Sequence, residues 1–209
     1  MKEKELINLF LDMNNLKEVK RFGEHGCGYY HKVFKESVAE HIYHMILIAD
    51  KLIEILKLDD LDYKKVIKLI LYHDTCEHGM TEDFDAFIAH ENPEYKKKKQ
   101  DAEKKNIAKL SSKHGKFIDE IYNEYEEQKT EEAKFVKAID KIQCNIHTLQ
   151  RGLKNYDAPQ QAYEAIWAVK PVQNFPRLKP LLKAIQEEFK KYYLENNLIW
   201  NDDWFIGHL

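Results

Sequence analysis

Seven glycines and five prolines in 209 residues leave little material for the tight turns that a multi-stranded sheet requires. No sustained polar–apolar alternation runs through the chain, whereas apolar residues recur at helical spacing almost throughout. Together these features predict an all-α fold. Residues 3–20 read as one amphipathic helix, and "RFGEHGCGYYHKVFKE", residues 21–36, as a glycine-rich loop. Ser37 opens a helix to about Leu56, and Ser37 and Glu40 have the spacing of a capping box. A buried helix is expected from about Tyr63 to Cys76, a very polar one over 94–114 and another over 115–128. Thr130 caps a further helix to about Leu153. Four of the five prolines fall in residues 158–209, which still contain a helical pattern over about 178–195. The expected organisation is a core of residues 1–155 with a C-terminal helical extension, 156–209, packed on the same domain.

Composition narrows the function. Hydrophobic residues make up 44% and charged residues 33%, the balance of a soluble globular chain. A net charge of −3 and a pI near 6.4 argue against a nucleic-acid partner. No apolar run reaches the roughly 18 residues a membrane span needs. The N-terminal "MKEKELINLFLDMNNLKEVK" carries charges throughout and does not read as a signal peptide. Three cysteines, Cys27, Cys76 and Cys144, without CxxC spacing, fit a reducing compartment. A cytoplasmic protein is expected. Only three of the 33 basic residues are arginines, Arg21, Arg151 and Arg177, so each stands out.

The chemistry concentrates in "LILYHDTCEHGMTED", residues 69–83, where an apolar run ends abruptly in ionisable groups. At helical spacing His73 shares a face with Val66 and Ile70, and Asp74 with Ile67 and Leu71. In the Ser37 helix, His41 falls on the apolar stripe of Val38, Met45, Ile48 and Leu52, and His44 on the opposite, wet face. In the Thr130 helix, Asp140 shares an inward stripe with Val136 and Gln143. A buried carboxylate costs several kcal/mol unless it is paired or bound to a metal. One cation where the three helices meet accounts for His41, His73, Asp74 and Asp140 together. Two imidazoles and two carboxylates suit a divalent transition ion such as Mn, Fe, Co, Ni or Zn. His44, His78, His114 and His147 read as solvated or core residues, Cys76 as a packing residue, and His25 and His31 as candidates for a pocket mouth.

The segments "SVAEH", "YHDTCEH" and "KAIDKIQ" resemble the HD-domain metal-dependent phosphohydrolases, whose pattern is His … His-Asp … Asp on helices around a divalent metal. Within that superfamily "LKEVKR", "SVAEH", HDxxE and "YEEQKTEEAKFVKAIDKI" are most similar to the 5'-deoxynucleotidase branch, over roughly residues 5–155. The resemblance implies an HD-type helical bundle with His41, His73, Asp74 and Asp140 as metal ligands. It also implies Glu77 near the attacking water and Arg21 on the substrate phosphate. The branch usually has Gly-Asp where this chain has Thr81-Glu82, so the second acidic position falls to Glu82 or to Asp83 next to it. Phe22 stands where tryptophan is common. The implied activity is removal of the 5'-phosphate from (deoxy)nucleoside monophosphates, with a small-molecule nucleotide as partner. Members often dimerise, so a homodimer is also expected. The residues leave open another phosphate ester or a nucleoside triphosphate as substrate, and a non-catalytic scaffold that binds metal and nucleotide; intact Arg21 and Glu77 favour turnover.

Overall fold

A computed structural model describes residues 3–21, 36–80, 84–151 and 166–201. Among these residues the chain forms nine α-helices and no strand, apart from a single antiparallel bridge between Lys20 and Ser37. The helices are α1 (Glu3–Asn14), α2 (Val38–Leu56), α3 (Tyr63–Tyr72), α4 (Ala86–Glu91), α5 (Pro93–His114), α6 (Phe117–Glu127), α7 (Glu131–Arg151), α8 (Val169–Asn174) and α9 (Lys179–Glu195).

Helix α7 is the axis of the molecule and packs against α2, α3, α6, α8 and α9. Its inward face, Phe135, Val136, Ile139 and Ile142, meets Met45 and Ala49 of α2 and Val66, Leu69 and Ile70 of α3 in one buried cluster. Val172, Phe175, Leu182, Phe189 and Tyr193 belong to the same cluster, so α8 and α9 share the core of the N-terminal helices. Each fully buried side chain of this size contributes about 1.5–3 kcal/mol relative to exposure. The polar helix α5 buries only Ile107, Leu110 and His114. Its Ile107 and Leu110 join Leu9, Cys76, Ile118 and Tyr122 in a second, smaller cluster.

Local signals set several helix ends, at Ser37 and Thr130 as expected. At α2 the Ser37 backbone N–H donates to Glu40 Oε2 at 2.6 Å and the Ser37 hydroxyl accepts from the Glu40 N–H at 3.2 Å, the complete capping box. At α5 the Asn92 side chain accepts from the Glu94 and Tyr95 N–H groups, and Pro93 takes the first helical position. The Thr130 hydroxyl accepts from the Ala133 N–H at the start of α7.

Two boundaries differ from the periodic pattern, for one shared reason. Helix α1 stops at Asn14 and a 3₁₀ turn, Asn15–Lys17, follows, whereas the pattern continued to residue 20. Helix α3 stops at Tyr72, and residues 75–77 form another 3₁₀ turn. Side chains remote in sequence hold these ends. The Asn15 side-chain Oδ1 accepts from the Gly79 N–H at 2.7 Å, and the Asn106 side chain of α5 donates to the carbonyls of Cys76 and His78 at 2.9 and 3.1 Å. Gly79 has φ +77°, a conformation that favours glycine. Helices α4 and α8, six residues each, lay outside the sequence expectation.

Candidate metal centre

His41 reaches the core from the first turn of α2 and is fully buried. His73 caps the end of α3, and Asp140 enters from the middle of α7. The ligand-type atoms of His41, His73 and Asp140 all lie within 4.8 Å of one another. His41 Nε2 stands 3.3 Å from Asp140 Oδ1. The stop of α3 matters here: with φ −99° and ψ 14°, Asp74 leaves the helical path. Its Oδ2 comes to 3.2 Å from His73 Nε2 and 3.8 Å from His41 Nε2. The helical face assigned to Asp74 is not an inner wall, because Leu71 on that face is 42% exposed.

The two imidazoles are oriented in the same way. His73 Nδ1 lies 2.8 Å from the Ile70 carbonyl, and His41 Nδ1 lies 2.6 Å from Gln143 Oε1. Both partners accept, so both Nδ1 atoms carry the hydrogen and both Nε2 atoms present a lone pair. Each Nε2 is shielded from solvent and makes no hydrogen bond, although carboxylate oxygens stand nearby. The large majority of buried polar atoms are satisfied, so two matched nitrogens left open toward one point and facing a carboxylate mark a place for a further partner. Nitrogen lone pairs converging with a carboxylate fit a divalent transition ion, and hydrogen-bonded Nδ1 atoms are the usual support of imidazole ligands.

The electrostatics agree. Burial, helped by the Arg21 guanidinium, pushes His41 down to about 4, so its ring is neutral near pH 7. Burial alone would lower His73 too, but the Asp74 carboxylate outweighs it and raises His73. That carboxylate favours a positive charge at His73 Nε2, whether a proton or a metal ion. Burial pulls Asp74 upward; His73 and Arg21 overcome it and hold the carboxyl far below its ordinary value. Asp140 follows the same logic, with burial opposed by Lys141 and His41. Tyr125 donates to Asp140 Oδ2 at 2.6 Å, and Lys141 Nζ lies 2.9 Å from the same oxygen.

A cleft of about 310 Å³ opens onto His73, Asp74 and Asp140, with His41 buried behind them, and is lined also by Arg21, Glu77, Phe84, Lys96, Lys99, Tyr122, Lys137, Cys144 and Trp167. Arg21 is buried, donates to Asp74 Oδ2 at 3.1 Å and to Cys144 Sγ at 3.1 Å, and has its Nε 3.7 Å from Glu36 Oε2. Glu77 is 4% exposed and faces the cleft from the turn that Asn106 pins. Of the sequence-predicted residues, the fold thus brings His41, His73, Asp74, Asp140, Arg21 and Glu77 around one space. Glu82 and Asp83 lie outside the described residues, as do Phe22, His25, Cys27 and His31. Sequence reasoning missed the supporting roles of Tyr125, Lys141, Gln143 and Trp167. The available signals were that Lys141 and Gln143 closely follow Asp140 in "DKIQ" and that Gln143 shares its inward stripe.

The bystander histidines have partners of their own. His114 Nε2 lies 2.6 Å from Asp12 Oδ2, and His44 Nδ1 lies 3.2 Å from Gln143 Nε2.

Comparison with known proteins agrees with this geometry. The HD domain family matches residues 13–190, well past the reach of the motifs themselves. The 5'-deoxynucleotidase HDDC2 of Dictyostelium discoideum is 33% identical over 155 residues, 69% of this chain and 76% of that protein. The 5'-deoxynucleotidase hdd1 of Schizosaccharomyces pombe is 27% identical over 194 residues, 88% of this chain and 90% of that protein. A Pyrococcus horikoshii crystal structure superposes with a TM-score of 0.67 at 23% identity, over 87% of this chain and 99% of the other. With the family match across most of the sequence and the His, His-Asp and Asp positions gathered in one core, this chain belongs to the HD-domain family.

Proposed function

We propose that the protein is a metal-dependent phosphohydrolase that removes the 5'-phosphate from (deoxy)nucleoside monophosphates, with His41, His73, Asp74 and Asp140 as the ligands of one divalent ion. The observation that carries this reading is the pair of buried, unbonded Nε2 atoms of His41 and His73 facing the Asp140 carboxylate at the floor of a cleft. The relatives named as 5'-deoxynucleotidases point to the substrate class.

A divalent ion in this position supplies Lewis acidity toward a phosphoryl oxygen and makes a water more acidic. The remaining work falls to the chain. Arg21, in the cleft wall, offers a planar cation for the phosphate. The Glu77 carboxylate orients the attacking water and takes its proton. Lys141, half-buried beside Asp140 and 4.8 Å from the Trp167 ring, adds a positive charge where phosphoryl charge develops. One of the acidic pair Glu82 and Asp83 fills the second acidic position that the family pattern calls for. Residues 156–209 act as an extension of the same domain, a reading supported by the burial of Phe175, Phe189 and Tyr193 in the shared cluster. No described helix is long and apolar enough to cross a membrane, in keeping with a cytoplasmic enzyme.

The test is to strip the protein, reload it with Mn, Co, Ni or Zn, and measure phosphate release from a panel of ribo- and deoxynucleoside monophosphates. Release of phosphate from deoxynucleoside monophosphates with at least one metal is expected. Silence across the whole panel with every metal would sink the proposal.

A further inference from the structure

The amide of Gln143 joins a metal-facing histidine to a carboxylate behind it. Gln143 is fully buried. Its Oε1 lies 2.6 Å from His41 Nδ1, while its Nε2 lies 2.9 Å from Glu36 Oε1 and 3.2 Å from His44 Nδ1. An amide has donors at one end and an acceptor at the other, and a carboxylate only accepts. Glu36 therefore draws the nitrogen end toward itself and turns the oxygen toward His41. The hydrogen of His41 then sits on Nδ1, and its lone pair sits on Nε2, the atom that faces His73 and Asp140. Glu36 imposes this without a hydrogen bond to the ring, since its Oε2 lies 4.0 Å from His41 Nδ1.

We infer that Glu36 and Gln143 are positioning residues that fix the tautomer of His41 and thereby set the affinity of the site for a divalent cation. The inference rests on the metal-site reading above. It singles out His41 for a physical reason: His73 is oriented by the Ile70 backbone carbonyl, which has no second orientation to adopt, whereas His41 depends on a side-chain amide that could rotate. Glu36 also ties this support to Arg21, whose backbone N–H donates to the Glu36 carbonyl at 2.9 Å and whose Nε lies 3.7 Å from Glu36 Oε2. One residue thus backs both the cation in the cleft wall and the orientation of a metal-facing imidazole.

The experiment is a Co²⁺ titration of the stripped full-length protein, followed by cobalt absorption and by competition with a chromophoric chelator. Gln143→Leu removes the acceptor, and a loss of about 10–100-fold in Co²⁺ affinity is expected. The decisive variant is the swap Glu36→Gln with Gln143→Glu, which puts an acceptor against His41 and a donor behind it. It should recover most of the affinity lost in Gln143→Leu, a rescue that a packing role does not produce. Wild-type affinity in Gln143→Leu, or a swap no better than Gln143→Leu, would overturn the inference alone. If Gln143→Leu fails to fold, the swap is compared with Gln143→Glu, in which two carboxylates face each other, and must bind more tightly. A wild-type protein that takes up none of Mn, Co, Ni or Zn would overturn the metal site and this inference with it.

Discussion

His41, His73 and Asp140 meet between α2, α3 and α7, while His78, His114 and Asp12 meet where α1 approaches α5. The two groups have the same residue types, and His114, 6% exposed, is nearly as buried as His73 at 1%. In the second group the carboxylate is saturated. Asp12 Oδ2 lies 2.6 Å from both His114 Nε2 and Lys113 Nζ, and His78 Nε2 stands 3.9 Å from Oδ1. In the first group both Nε2 atoms are left without a hydrogen bond. A cluster of histidines and acids is therefore not in itself the mark of a metal site. What separates the two is whether the buried ring nitrogens facing the cluster already have hydrogen-bond partners: His114 Nε2 does, and the Nε2 atoms of His41 and His73 do not. The Asp12 group joins two helices; the Asp140 group leaves room for an ion.

The widest separation between the two regions comes from deleting each carboxylate-facing partner. Asp140→Ala is expected to abolish stoichiometric metal uptake. Several kcal/mol of transition-state stabilisation from the ion corresponds to a fall in kcat/KM of roughly 10³-fold or more. Helical content should survive, as circular dichroism will report. Metal uptake equal to wild type would place the site elsewhere. Glu77→Gln tests the water-facing role: kcat should fall about 10²–10⁴-fold with metal content unchanged. Loss of metal in this variant would make Glu77 a ligand instead. Arg21→Ala should act mainly through KM for the phosphate-bearing substrate while leaving the ion in place. Arg21 repels a cation from its position beside Asp74 and His41, so removing it gives no electrostatic reason for weaker metal binding.

These contrasts show how much of the molecule was legible beforehand. The start of α2 and the capping box at Ser37 were readable because their partners lie three residues apart. His41, His73 and Asp140 were readable as inward-facing because helical periodicity alone points them there. The end of α3 was not, because Asn106 and Asn15 settle it from 30 and 64 residues away. That hidden ending is also what delivers Asp74 to the cluster through a turn. In the same way Tyr125 on Asp140, Gln143 on His41 and Trp167 beside Lys141 are pairings made by the packing of different helices, which leave no local pattern. His114 shows the converse: burial was within reach of a sequence reading, but its partner on α1 was not.

The Asp12 region should respond to mutation as a structural joint. His114→Ala removes a short hydrogen bond to a carboxylate, and a loss of about 1.5–3 kcal/mol in unfolding free energy is expected. Metal affinity and kcat should stay at wild-type values; if either fell tenfold, the two regions would not be independent.

The smallest effect is a pH dependence that belongs to the joint alone. Burial is the largest single influence on the Asp12 carboxyl and raises it, but the hydrogen bonds from Lys113 and His114 and the nearby positive charge together outweigh this and hold it below its ordinary value of 3.8. A carboxyl whose folded value is depressed contributes stability that is fully present above the unfolded value and disappears as pH falls through the folded one. Asp12→Asn should therefore be less stable than wild type at pH 7, by about 1 kcal/mol or less for a group this close to the surface. The gap should close only below about pH 4, as the wild-type carboxyl takes up its proton. Equilibrium urea unfolding of both proteins, at pH 7 and then stepwise below pH 5, measures that gap. A gap already closed at pH 5 would mean that the cations around Asp12 do not lower its pKa, and that α1 is held to α5 by apolar packing around Leu9 instead.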